Sequence, residues 1–155
     1  MVISSPVFQD GKPIPTKFAH HGVTGGKNIS IPLVWSGAPA GTTSFALSIV
    51  DPHPVAGNWV HWFVVNIPAS VLSLSEGASS RNMPSGCKEL YNTYGKLGYG
   101  GPEPPKGSGP HPYEVVLYAL SSLLDISANT TLQAFKKALE GKIIATAKIT
   151  GMYER

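Results

Sequence analysis

The chain carries a single cysteine, Cys87, among its 155 residues, so no internal disulfide can brace it. Charge is sparse as well: Asp, Glu, Lys and Arg make up 14% of the sequence, and the formal net charge is +3. Its lysines are scattered, with only Lys136 and Lys137 adjacent. A nucleic-acid footprint needs a stripe or block of basic residues, so no nucleic-acid partner is expected. No apolar run approaches the roughly 18 residues that a membrane span requires. The opening Met1-Val2-Ile3-Ser4-Ser5-Pro6 lacks the basic start and apolar core of a signal peptide, and a reducing, cytoplasmic setting is the expectation. No internal repeat and no low-complexity tract is present.

What the chain does have is apolar mass and punctuation. Hydrophobic residues make up 42% of it, too many for a disordered chain, and its length suits one domain over residues 1–155. Fourteen prolines and seventeen glycines are spread throughout, which points to many short elements joined by turns. Residues 29–35, 44–50, 59–67, 113–120 and 143–150 read as strands from their β-branched and aromatic content. Segments 59–67 and 113–120 are apolar on both faces, as strands covered on two sides would be. Residues 130–139 read as a helix, with Thr130 and Gln133 as a capping box and Gly141 as a left-handed stop. The expected fold is mostly β: a two-sheet antiparallel, Greek-key-like sandwich with one or two short helices near the C-terminus.

Residues 75–112 do not fit a simple sandwich. So long an irregular segment in a compact domain usually serves binding. It ends in Gly100-Gly101-Pro102-Glu103-Pro104-Pro105-Lys106-Gly107-Ser108-Gly109-Pro110-His111-Pro112-Tyr113, stiffened by prolines that fix φ and lack N–H groups. Two further segments carry chemistry: Asp51-Pro52-His53-Pro54, where one strand ends, and Trp59-Val60-His61-Trp62, where the next begins. Asp51 and His61 flank a short connection across which they can meet. A carboxylate beside an imidazole favours the protonated ring, so Asp51 is expected to keep His61 or His111 charged for a phosphate-like anion. The same carboxylate would repel a bare dianion, favouring a monoester, a protonated phosphate or a head group with its own ammonium. Residue type alone leaves two other readings open. One is a hydrolase using Asp51–His61 as a general-base pair, although no Gly-x-Ser-x-Gly elbow is present and no serine stands clearly beside these residues. The other is a metal site on Asp51, His61 and His111. Adjacent His20 and His21 would point to opposite faces of an extended segment, which is poor ligand geometry.

The three segments resemble the signature blocks of the phosphatidylethanolamine-binding proteins, also called Raf-kinase-inhibitor-like proteins. That family has an Asp-Pro-Asp-Ala-Pro block, an aromatic strand with a His, and a Gly-Pro…Pro-Pro…His-Arg-Tyr block. The counterparts here are residues 51–54, 59–68 and 99–120. Further echoes lie in residues 10–15, 28–35 and 151–155, so the resemblance runs nearly end to end and looks most like the short bacterial and archaeal branch. It implies a β-sandwich with a shallow anion pocket lined by Asp51, His61, His111 and Tyr113, with Trp59, Gly101, Pro102, Pro104 and Pro105 on the rim. It also implies a non-catalytic binding protein for phospholipid head groups, phosphorylated small molecules or phosphorylated side chains. The implied partners are a small anionic ligand and a kinase or protease, with a homodimer as the assembly and neither cofactor nor metal. Three departures stand out: His53 replaces the second Asp of the first block, Pro112 replaces the Arg before the Tyr, and His20-His21 replaces a common Cys-Asp pair. His53 is expected to make the pocket mouth more electropositive, and Pro112 to withdraw a cation.

Overall fold

The alternating and doubly apolar segments form eight strands in the computed structural model, which describes residues 1–155. They are β1 (Val2–Ser4), β2 (Leu33–Ser36), β3 (Ser44–Asp51), β4 (Trp59–Pro68), β5 (Ser73–Leu74), β6 (Lys88–Glu89), β7 (His111–Leu120) and β8 (Ile143–Tyr153). One helix, α1 (Leu132–Leu139), precedes the last strand. The strands make an antiparallel sheet in the order β1-β2-β5 and a larger antiparallel sheet in the order β6-β4-β3-β7-β8.

Two cores follow from the period-2 alternation of side chains. Between the sheets, Ile3, Leu33, Trp35 and Leu74 of the small sheet pack with Phe45, Leu47, Val64, Val115 and Ile149 of the large one. On the outer face of the large sheet, Ala46, Phe63, Val65 and Leu90 receive Phe135 and Leu139 of α1. The rings of Phe63 and Phe135 stack with centroids 4.3 Å apart. Strands β3 and β4 are therefore covered on both faces, which is why each reads as a near-continuous apolar run. Strand β7 differs from expectation: Tyr113, Val115, Leu117 and Ala119 are buried, while Glu114, Val116 and Tyr118 on its other face are half-buried. α1 lies over β3 and β4 and leaves much of that face of β7 uncovered.

The sandwich expected from sequence is thus the fold, with local corrections. The strand expected over residues 29–35 begins only at Leu33. Asn28 adopts a left-handed conformation at φ 51°, and Pro32 has no N–H to offer a ladder. Thr131, not Thr130, caps the helix, its hydroxyl oxygen accepting from the Ala134 N–H at 3.1 Å. Gly141 does stop the helix, at φ 71°. The expected one or two C-terminal helices resolve to α1, and the other helical turn (Thr16–Phe18) lies near the N-terminus.

Candidate functional site

The register between β3 and β4 decides where His61 points. Ile49 pairs with Trp62, but the next residue, Val50, pairs with Val60. His61 is the extra residue of a β-bulge, a device that re-aims a side chain out of the regular alternation. Trp62 enters the inter-sheet core and Val60 the outer one, while the His61 ring turns to the end of the sandwich. There it is 3% exposed. Its Nδ1–H donates to the Gly100 carbonyl oxygen at 2.6 Å, and the Gly100 N–H returns a bond to the His61 carbonyl at 2.8 Å. Burial drives the ring pKa down to about 4, outweighing the Gly100 hydrogen bond and the nearby Asp51 charge. His61 is a neutral ring at neutral pH, so of the two rings that Asp51 was expected to keep charged, His61 or His111, it is not the one.

Asp51 ends β3 opposite Trp59 and is 2% exposed. Its Oδ1 accepts from the His53 N–H at 2.9 Å, closing the turn across Pro52. Its Oδ2 accepts from His111 Nδ1–H at 2.6 Å. One oxygen shapes the loop and the other grips the start of β7. No hydrogen bond joins Asp51 to His61. His111 is wholly buried, and its Nε2 lies 2.9 Å from Ser108 Oγ. Ser108 Oγ is also 2.6 Å from the Pro105 carbonyl oxygen, which can only accept, so the single hydroxyl proton can serve either that carbonyl or His111 Nε2, not both. Both nitrogens of His111 are engaged within the protein. Sequence reading found no serine beside these residues, yet Ser108, His111 and Asp51 stand in line. The Pro105 carbonyl, at 2.6 Å against 2.9 Å for His111 Nε2, nevertheless competes for the hydroxyl proton that an activated nucleophile must donate to its imidazole.

The opposite wall is held from behind by the 16–28 segment. Gly101 N–H donates to Asn28 Oδ1 at 2.7 Å, the Gly101 carbonyl accepts from the Tyr94 hydroxyl at 2.9 Å, and Pro102 O accepts from the His20 N–H at 3.0 Å. A Cβ on Gly101 would sit 2.1 Å from the Phe18 carbonyl oxygen, so only glycine allows this approach. In the run Pro102–Pro105, Glu103 owns the one backbone N–H, and that group makes no hydrogen bond in the protein. The Glu103 carboxylate lies 2.6 Å from His20 Nδ1 and 3.5 Å from the Arg155 guanidinium, which also donates from Nε to Pro104 O at 2.9 Å.

These elements enclose a cleft of about 350 Å³. Of the residues expected from sequence, Asp51, Trp59, His61, Pro104, Pro105, His111 and Tyr113 line it together. Gly101 and Pro102 do not; they form the layer behind the wall. The lining also includes Tyr94, Glu103 and Arg155, which sequence reasoning did not select. Arg155 places a cation on the wall where Pro112 was expected to leave one missing. His53 is not in the lining. Its ring stacks on His111 at 3.8 Å, and its Nδ1 accepts from the Val55 N–H. Tyr113 is 1% exposed, and its hydroxyl makes no hydrogen bond in the protein; among the lining residues the buried donor left unpaired is Trp59 Nε1–H. Burial first, and Asp51 second, push the Tyr113 pKa up, so its hydroxyl remains a donor. No group of three or more His, Cys, Asp and Glu side chains is arranged to hold a metal ion.

The family model for phosphatidylethanolamine-binding proteins matches residues 4–154. The chain belongs to that family. The solved structure of YbcL from Escherichia coli, described as a member of the mammalian PEBP family, superposes with a TM-score of 0.92 at 37% identity, covering 99% of this chain and 98% of that one. A UPF0098 protein from Methanothermobacter thermautotrophicus is 36% identical over 100% of this chain and 99% of its own length. A Mycobacterium tuberculosis relative named as a lipoprotein, LppC, is 36% identical over 99% of this chain and 72% of its own. Family membership therefore does not dictate the cytoplasmic setting expected from sequence. No helix of this family member is long and apolar enough to cross a membrane.

Proposed function

We propose that the protein is a non-catalytic binding module whose end-of-sandwich cleft takes a small phosphate-containing ligand. The observation that carries this reading is the set of polar groups left free inside an otherwise apolar, aromatic and proline-walled cleft. These are the Tyr113 hydroxyl, the Glu103 N–H and His61 Nε2, with Arg155 nearby. Backbone and hydroxyl donors on a rigid rim bind oxyanions through charge-assisted hydrogen bonds. The ligand is a phosphorylated small molecule, a phospholipid head group or a phosphorylated side chain on a kinase or protease partner, and a homodimer is part of the same proposal. General-base hydrolysis by Asp51 and His61 is not the reading we favour, because Asp51 bonds to His111 and His61 has no carboxylate to orient it.

Titration with phosphoethanolamine tests the proposal. The histidine side-chain NMR signals of His61 and His111 are expected to shift in a saturable, salt-sensitive way, with no product formed. Signals that stay unmoved at millimolar ligand would refute it.

A further inference from the structure

His61 presents the cleft with an acceptor. Its Nδ1 carries the proton, because the Gly100 carbonyl 2.6 Å away can only accept. Nε2 is then a bare lone pair, and the only side-chain hydrogen bond of His61 is the one through Nδ1. The adjoining ring, Tyr113 at 4.9 Å between centroids, offers the opposite polarity, a hydroxyl donor. The wall next to them holds the Asp51 carboxylate, whose two oxygens already accept from His53 and His111. Other titratable or charged groups at the cleft are His111, held by Asp51, and Glu103 and Arg155, which face one another at 3.5 Å, with His20 behind Glu103. A tetrahedral anion seated on Tyr113 therefore meets a nitrogen lone pair beside a carboxylate.

Building on the anion-cleft reading above, we propose that the cleft selects phosphomonoesters and free phosphate that keep a proton on one oxygen. It discriminates against oxyanions that have none. The P–OH donates to His61 Nε2, while an unprotonated oxygen accepts from the Tyr113 hydroxyl and the Glu103 N–H. An anion lacking that proton sets oxygen lone pairs against the nitrogen lone pair, with no donor to relieve them. His61 does not readily supply the missing proton, because burial disfavours its charged form. The distinction separates two sources of phosphate. A phosphorylated metabolite or side chain is a monoester and carries P–OH near pH 6. The phosphate of an intact phospholipid is a diester and carries none.

Calorimetric titration of the intact protein at pH 6 and constant ionic strength, with methyl phosphate, dimethyl phosphate, inorganic phosphate and sulfate, tests this. Methyl phosphate and inorganic phosphate are expected to bind at least about tenfold more tightly than dimethyl phosphate and sulfate, as for a hydrogen bond to a charged group. Dimethyl phosphate is a monoanion, so its rejection separates the missing proton from the doubled charge of sulfate. The His61 Nε2 resonance should move with the first pair and not with the second. In His61→Asn, whose amide N–H can serve Gly100 while its shorter side chain leaves no acceptor at the Nε2 position, the preference should fall toward unity. Equal binding of all four anions would overturn the proton selection while leaving the anion cleft standing. Binding of none of them would overturn both.

Discussion

Replacing Asp51 with alanine is expected to lower the free energy of unfolding by about 3 kcal/mol and to erase the response of His61 to phosphoethanolamine. The magnitude follows from breaking a buried, hydrogen-bonded carboxylate–histidine pair by removing one partner. His111 is fully buried, and its Nδ1–H would lose its acceptor 2.6 Å away. The His53 N–H would lose its own at 2.9 Å, releasing the turn that carries Val55 and Ala56 into the cleft lining. Asp51→Asn keeps the volume and one acceptor oxygen, so its loss should be about half as large. Urea unfolding followed by tryptophan fluorescence measures the first effect, and the histidine NMR signals measure the second. An alanine variant as stable as the wild type would mean that the pair does not hold the end of β3 to the start of β7.

Acid should weaken the fold through His61. The ring has a pKa of about 4 in the folded protein against 6.5 when exposed. Between those values the unfolded chain binds the extra proton and the folded one does not, so stability rises with pH. The contribution is complete above pH 6.5 and is lost as pH falls toward 4, amounting to about 3 kcal/mol across the window. His61→Asn retains a donor for Gly100 and cannot titrate. Its stability should be lower at neutral pH and should lack this slope. Unfolding curves at half-unit pH steps compare the two proteins. Parallel profiles would show that His61 is not the group responsible.

Much of the site was legible because its residues sit at strand ends beside turns. Asp51 closes β3, Trp59 and His61 open β4, and His111 and Tyr113 open β7, so adjacent strands of one sheet gather them. The apolar run of β4 likewise announced coverage on two faces, whereas the same reading of β7 failed because one of its faces is only half-buried. Other features depend on pairings that no local pattern encodes. The bulge at His61 exists only in the register of β4 against β3. Asn28 reaches Gly101 across 73 positions, and the strand expected from residue 29 begins only at Leu33. Tyr94, Glu103 and Arg155 join the cleft through contacts among loops. Of the two partners expected for Asp51, closeness in sequence favoured the wrong one. His61 is near in sequence, but the sheet brings His111, 60 positions away, into contact instead.

The neutral, Nδ1-protonated state of His61 is where fold and proposed chemistry meet. The bulge aims the ring, Gly100 fixes its tautomer, and burial keeps it uncharged. A crystal structure grown in phosphate at pH 6 tests the outcome most directly. The account predicts tetrahedral density in the cleft, with one oxygen within hydrogen-bond distance of His61 Nε2 and another within reach of the Tyr113 hydroxyl. Phosphate bound elsewhere, with only water between His61 and Tyr113, would contradict it.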